Sequence, residues 1–106
     1  MSGLPKVYKQ FQKEFPEVWE HYTRLGESAA NAGPLDEKTR ELVKLGMAAA
    51  TKSMSAVQSH THRALETGAS ADEIQHAILL GITTIGFPGM MAAMSWAYMA
   101  IQEHKP

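Results

Sequence analysis

Apolar residues recur along this chain at intervals of three and four, the period of an α-helix, and no run alternates as a strand would. Leu4, Tyr8, Phe11 and Phe15 share one helical face. Pro16 ends that segment and suits the first turn of the next, where Val18, Tyr22, Leu25 and Ala29 repeat the spacing with Trp19 beside them. NAGP, residues 31 to 34, is a break. A third helix follows through ELVKLGMAAA to about Ala50, with Asp36 and Glu37 placing acid in its first turn, favourably for the helix dipole. TKSMSAVQSHTHRALETG, residues 51 to 68, reads as a fourth helix closed by Gly68, a good left-handed terminator. Ser70 and Glu73 form an S-x-x-E capping box that opens a fifth, DEIQHAILLGITTI. A sixth follows Pro88. The pattern predicts an all-α fold of about six helices in a single domain, residues 1 to 106, without internal repeats.

Every position from Ala77 to Gln102 is uncharged, a stretch long enough to span a bilayer. GFPG, residues 86 to 89, interrupts it: Pro88 removes a backbone donor and two glycines loosen the chain. The stretch therefore divides into two helices of roughly a dozen residues, each too short to cross a membrane. Both are apolar on nearly every side, which calls for cover from more than one direction. A homo-oligomer is expected to supply part of it.

Composition narrows the field. Hydrophobic residues make up 44% and charged residues 20% of 106, as in an ordinary folded domain. A net charge of −1 offers no field for phosphates, so nucleic acid is not an expected partner. Cysteine is absent, which excludes disulfides, thiolate metal sites and thiol redox chemistry within these residues. MSGLPKVYKQ lacks the apolar run of a signal peptide, so a cytoplasmic location is expected. The seven methionines suit irregular packing gaps, and Trp19, Trp96 and Tyr98 suit core or interface positions.

The candidate chemistry sits on helices three and four. Met54, Val57, Thr61, Ala64 and Leu65 form one stripe, the expected core face. His62 lies roughly 140° from Val57, among Ser55, Gln58, Ser59 and Glu66, and is expected in solvent. His60 lies only about 60° from Val57, with small neighbours Ser53, Ala56 and Ala64. On the preceding helix Leu35, Leu42, Leu45, Gly46 and Ala49 make the inner stripe, with Glu41 at its edge. A partly buried carboxylate needs a partner, and His60 is the candidate if the two helices pack as a hairpin. Such a pair suits proton transfer, because burial and mutual attraction move its titrations in opposing directions. From spacing alone a structural contact is the stronger reading, since structural ion pairs are common. Glu73-Ile74-Gln75-His76 is one E-x-x-H, but a di-iron bundle needs two copies and further glutamates. No metal is expected.

The ordered set LDEKTREL, a small-residue helix with H-x-x-x-A-L-x-x-G-A, the acidic helix start DEI, and GFP followed by small residues resembles the carboxymuconolactone decarboxylase family, which includes the alkyl hydroperoxidase D-like proteins. The likeness is strongest from Leu35 to Ala100. It implies a central antiparallel helical hairpin and assembly into a trimer or hexamer. In the hydroperoxidase branch the helix carries C-x-x-C and then a histidine, with a glutamate on the preceding helix. Those positions fall here on Ser53, Ala56, His60 and Glu41. Neither serine nor alanine can replace a thiolate, so this chain resembles the thiol-free decarboxylase branch. The resemblance implies His60 and Glu41 as catalytic residues, with Ser53 and Ala56 on the substrate side. The implied chemistry is decarboxylation or isomerisation of a small carboxylated lactone or carbonyl compound, without an organic cofactor. A catalytically degenerate relative that binds a ligand or assembles, and a metal-binding helical oligomer, are the alternatives. For a carboxylated substrate the expected anion-binding groups are Lys38, Lys52 or a neighbouring subunit, since Arg40 and Lys44 point away from the inner stripe.

Overall fold

The computed structural model describes residues 6 to 104; Leu4, the first position of the N-terminal stripe, lies outside them. Among the described residues there are six α-helices and no strand: α1 Lys6–Glu14, α2 Pro16–Ala30, α3 Glu37–Ala50, α4 Met54–Glu66, α5 Ala71–Leu79 and α6 Gly86–Glu103. A 3-10 segment, Leu80–Thr83, continues α5. The chain divides into two compact units, residues 1 to 36 and 37 to 106.

In the first unit, α1 and α2 meet through rings. The ring centroid of Phe11 lies 5.3 Å from that of Phe15, tilted, and 6.2 Å from that of Trp19, edge-on, and the Trp19 and Tyr22 centroids are 5.7 Å apart. Pro16 opens α2, where its missing N–H removes nothing the helix needs. Neither helix buries a residue.

The second unit carries the core. Helices α3 and α4 are joined by three residues, a link short enough to force an antiparallel hairpin. Thr51 turns its hydroxyl back to the Ala48 carbonyl at 2.7 Å, and Lys52 takes a left-handed φ of 60°. Ser53 then caps α4, its hydroxyl accepting from the Ala56 N–H at 3.2 Å. The fourth helix therefore begins at Met54 rather than at 51. Met54, expected in the core, stands exposed on that first turn. Leu45, Ala48 and Ala49 of α3 meet Val57, Thr61 and Ala64 of α4 in the interior. Buried Thr61 satisfies its hydroxyl on the Val57 carbonyl at 2.7 Å. Leu35, expected in the inner stripe, precedes α3 and is exposed.

Gly68 ends α4 with φ 96°, a conformation that costs glycine nothing. The capping box is complete: Ser70 accepts from the Glu73 N–H at 3.0 Å, and the Glu73 carboxylate accepts from the Ser70 N–H at 2.9 Å. The uncharged stretch breaks earlier than expected, in the 3-10 segment, and α6 starts at Gly86 with φ 86°. Pro88 lies inside the first turn of α6, where proline is tolerated, so α6 runs 18 residues and α5 only 9. Met90, Ala93, Met94, Ala97 and Ala100 of α6 close the core. No helix among the described residues is long and apolar enough to cross a membrane.

Candidate active site

The α3–α4 hairpin brings Glu41 and His60 into contact, with His60 Nδ1 lying 3.2 Å from Glu41 Oε1. Their side chains are 15% and 20% exposed respectively, largely sheltered yet still in contact with solvent. Two features of sequence position them. Small residues let α3 and α4 approach closely, and the tight turn sets the antiparallel register that carries His60 back alongside Glu41.

The Glu41 carboxyl sits below the ordinary carboxylate range. Its hydrogen bond with His60 is the main cause, burial opposes it, and the charges of His60, Lys44 and Arg63 add to the lowering. At neutral pH Glu41 is therefore an acceptor only, and Nδ1 must donate to it. That bond fixes the ring orientation and leaves Nε2 as the nitrogen free to exchange a proton. Of the two opposing effects expected from the sequence, the bond to His60 outweighs burial at Glu41.

Ser53 and Ala56 precede His60 by about two turns and one turn, Ser53 at the cap of α4 and Ala56 within it. Ser53 is occupied as the helix cap, and Ala56 packs against the core. Glu41 and His60 are therefore joined across the hairpin, whereas Ser53 and Ala56 are joined to each other by the cap hydrogen bond within α4.

Several flanking residues depart from expectation. His62, expected in solvent, has a side chain only 17% exposed, with Nε2 3.4 Å from the Glu103 carboxylate and its ring 6.1 Å from that of His104. Ser59, grouped with it, is buried. The end of α6 covers that flank of α4, a tertiary contact that the angular pattern of one helix does not contain. Lys38 is engaged with Glu73 at 3.0 Å; the Ser70 cap and that bond together hold the Glu73 carboxyl low. Lys44 acts on Glu41 after all, and so does Arg63. Each follows a member of the pair by three residues, a spacing visible in the sequence.

A separate concavity of about 450 Å³ opens between α3 and α5, lined by Leu42, Val43, Gly46, His76, Ala77 and Leu80 among others. Neither His60 nor Glu41 lines it. Among the described residues no group of three or more histidines and carboxylates is placed to hold a metal ion.

The site is an antiparallel hairpin carrying a Glu–His pair and no thiol, and comparison with known proteins gives the family of the chain. Residues 16 to 98 match the model of the carboxymuconolactone decarboxylase family. The chain belongs to that family, and it lacks the C-x-x-C of the hydroperoxidase branch. An uncharacterised protein of Methanocaldococcus jannaschii is 30% identical over 78% of each chain. One from Haemophilus influenzae is 35% identical over 59% of this chain, an alignment spanning only 56% of that protein's length. Among solved structures, a carboxymuconolactone decarboxylase family protein from Legionella pneumophila superposes with a TM-score of 0.81 at 27% identity, covering 92% of this chain and 86% of the other. A candidate carboxymuconolactone decarboxylase from Burkholderia xenovorans gives 0.75 at 26% identity, covering 94% and 81%.

Proposed function

We propose that this protein is a cofactor-free acid–base enzyme that decarboxylates or isomerises a small carboxylated lactone or related carbonyl compound. The hydrogen bond from His60 Nδ1 to an ionised Glu41 carries the reading. In a decarboxylation the carbon–carbon bond to the departing carboxylate breaks, and its electron pair enters the conjugated carbonyl system. His60, protonated at Nε2, delivers a proton to the resulting carbanion carbon and is refilled from solvent. Glu41 stabilises the imidazolium that makes this delivery and holds its ring in place. General acid–base catalysis of this kind contributes about 10² to 10⁴ in rate. Ser53 and Ala56 flank the small-residue face of α4 over which such a substrate lies.

The working form is a trimer or hexamer. Support comes from large apolar side chains that stand exposed, among them Phe15, Tyr22 and Leu25 in the first unit and Met47, Leu80 and Phe87 in the second. Large apolar side chains left exposed in each unit favour association with further copies.

The test is carbon dioxide release from carboxymuconolactone by wild type, Glu41→Gln and His60→Ala, with folding of each confirmed. Turnover that falls about 10²-fold or more in both variants supports the reading. Turnover indifferent to both changes removes the Glu41–His60 pair from the chemistry, and none in wild type overturns the reading in favour of a ligand-binding or assembly protein.

A further inference from the structure

The concavity between α3 and α5 has the form of a seat for a helix. Lys38 meets Glu73 at 3.0 Å, which sets the first turns of α3 and α5 side by side. From α3 the concavity is lined by Thr39, Leu42, Val43 and Gly46. From α5 and the residue just past it, Glu73, His76, Ala77 and Leu80 line the other wall. Both sets fall at i, i+3, i+4 and i+7, the spacing of one helical face. Two such faces side by side leave a channel two turns long, roughly 10 Å. Grooves of this kind take an amphipathic helix that anchors at the same spacing. The lining is apolar save for Thr39 and Glu73 at one end and His76 midway.

Within the first unit, α2 presents a face that fits. Val18, Tyr22 and Leu25 lie at i, i+4 and i+7, over the same length of roughly 10 Å. They keep 54%, 64% and 66% of their surface. Trp19, beside that face, meets the rings of Tyr8 and Phe11 of α1, with centroids 6.5 and 6.2 Å away. The first helix therefore covers one flank of α2 and leaves the stripe bare. In the groove, Val43 and Leu80 are exposed in their turn.

We propose that two copies of this chain exchange their α2 helices, each laying Val18, Tyr22 and Leu25 into the α3–α5 groove of the other. The inference rests on the association proposed above and names its surface. In either direction along the groove Tyr22 falls near the middle, where the His76 ring offers a partner for its hydroxyl. Area decides that the exchange is mutual. Covering the three α2 side chains removes roughly 300 Å² of surface, and the groove walls lose about as much. One seat alone therefore buries about 600 Å², too little for a stable specific interface. Two seats related by a two-fold axis bury about 1,200 Å², where such interfaces begin. A hexamer contains three such pairs, and a trimer contains none.

Sedimentation and native mass spectrometry of the full chain, as wild type, Leu25→Lys and Leu80→Glu, test the exchange. Both positions are exposed, so each variant should keep its helical circular dichroism. Wild type should assemble in an even number of chains. Each variant should weaken pairing about 100-fold or more, because both seats of the pair then press a charge against apolar surface. Mixing the two variants should recover pairs of unlike chains. In such a pair one seat is wild type on both sides, and the other combines the two substitutions with opposite charges. A wild type that stays monomeric at micromolar concentration overturns the exchange and the association together. An odd-numbered assembly, pairing unchanged in either folded variant, or no recovery on mixing overturns the exchange and leaves association to another surface. Carbon dioxide release reads the His60 chemistry separately, so its failure is not mistaken for failure of the exchange.

Discussion

Removing the Glu41–His60 contact, alone and in combination, measures what holds the site together. The relevant variants are Glu41→Ala, His60→Ala and the double change, unfolded with urea at neutral pH and one protein concentration. A hydrogen bond to a charged group contributes about 1.5–3 kcal/mol. Here the separation of 3.2 Å is longer than the best charge-assisted bonds, and both side chains keep some contact with solvent. Both features discount the interaction to a coupling of about 1–2 kcal/mol. Each single variant should cost more than that coupling, because it strands a part-buried polar partner at about 1–3 kcal/mol in addition to lost packing. The double variant should therefore be less destabilised than the two singles added together. The cycle is clean because alanine makes no new hydrogen bond at either position. A coupling below about 0.3 kcal/mol would refute the reasoning, for that is the range of solvated surface pairs without a fixed geometry.

Glycine substitutions separate backbone from packing effects. Gly68→Ala forces alanine to φ 96°, yet its Cβ meets nothing within 4 Å, so the cost is purely that of the backbone, about 1–2 kcal/mol. Gly46→Ala, helical and equally unobstructed, should instead stabilise by about 0.4–1 kcal/mol; thermal melts moving in the same direction would contradict the assignment of Gly68 as a left-handed terminator. Glu41 has a folded pKa below its unfolded value near 4.3, so its contribution is complete above that value and is lost as pH falls through the lower folded value. Acid titration of stability should therefore be shallower in Glu41→Gln than in wild type, and identical slopes would count against an ionised, bonded Glu41.

Much of this architecture is legible in the sequence because local chemistry writes it. The capping box at Ser70 and Glu73, the terminator Gly68 and the apolar stripe of Val57, Thr61 and Ala64 each follow from residues within two turns of one another. The Glu41–His60 contact is legible too, since both lie at stripe edges on consecutive helices. Boundaries are less so. Ser53 reads as a helical residue until its hydroxyl is seen capping α4. The break in the uncharged stretch falls at Leu80–Thr83, ahead of Pro88, because proline inside a first turn does not stop a helix. His62 is hidden for a different reason: its environment is made by the end of α6, far away along the chain. Lys44 and Arg63 are legible only as spacings. Lys44 shares α3 with Glu41, whereas the reach of Arg63 depends on the antiparallel register of α3 and α4, which the short turn sets and no single helix reveals.

The proposed chemistry turns on which imidazole nitrogen of His60 carries the proton, and nitrogen NMR of ring-labelled histidine reads this directly in the neutral ring. Wild type should show Nδ1 protonated, donating to Glu41, with Nε2 bare. Glu41→Gln should lose that preference, because its amide can donate to Nδ1 as well as accept from it. A wild-type ring protonated at Nε2, or the same pattern in both proteins, would contradict the claim that Glu41 sets His60 for proton transfer.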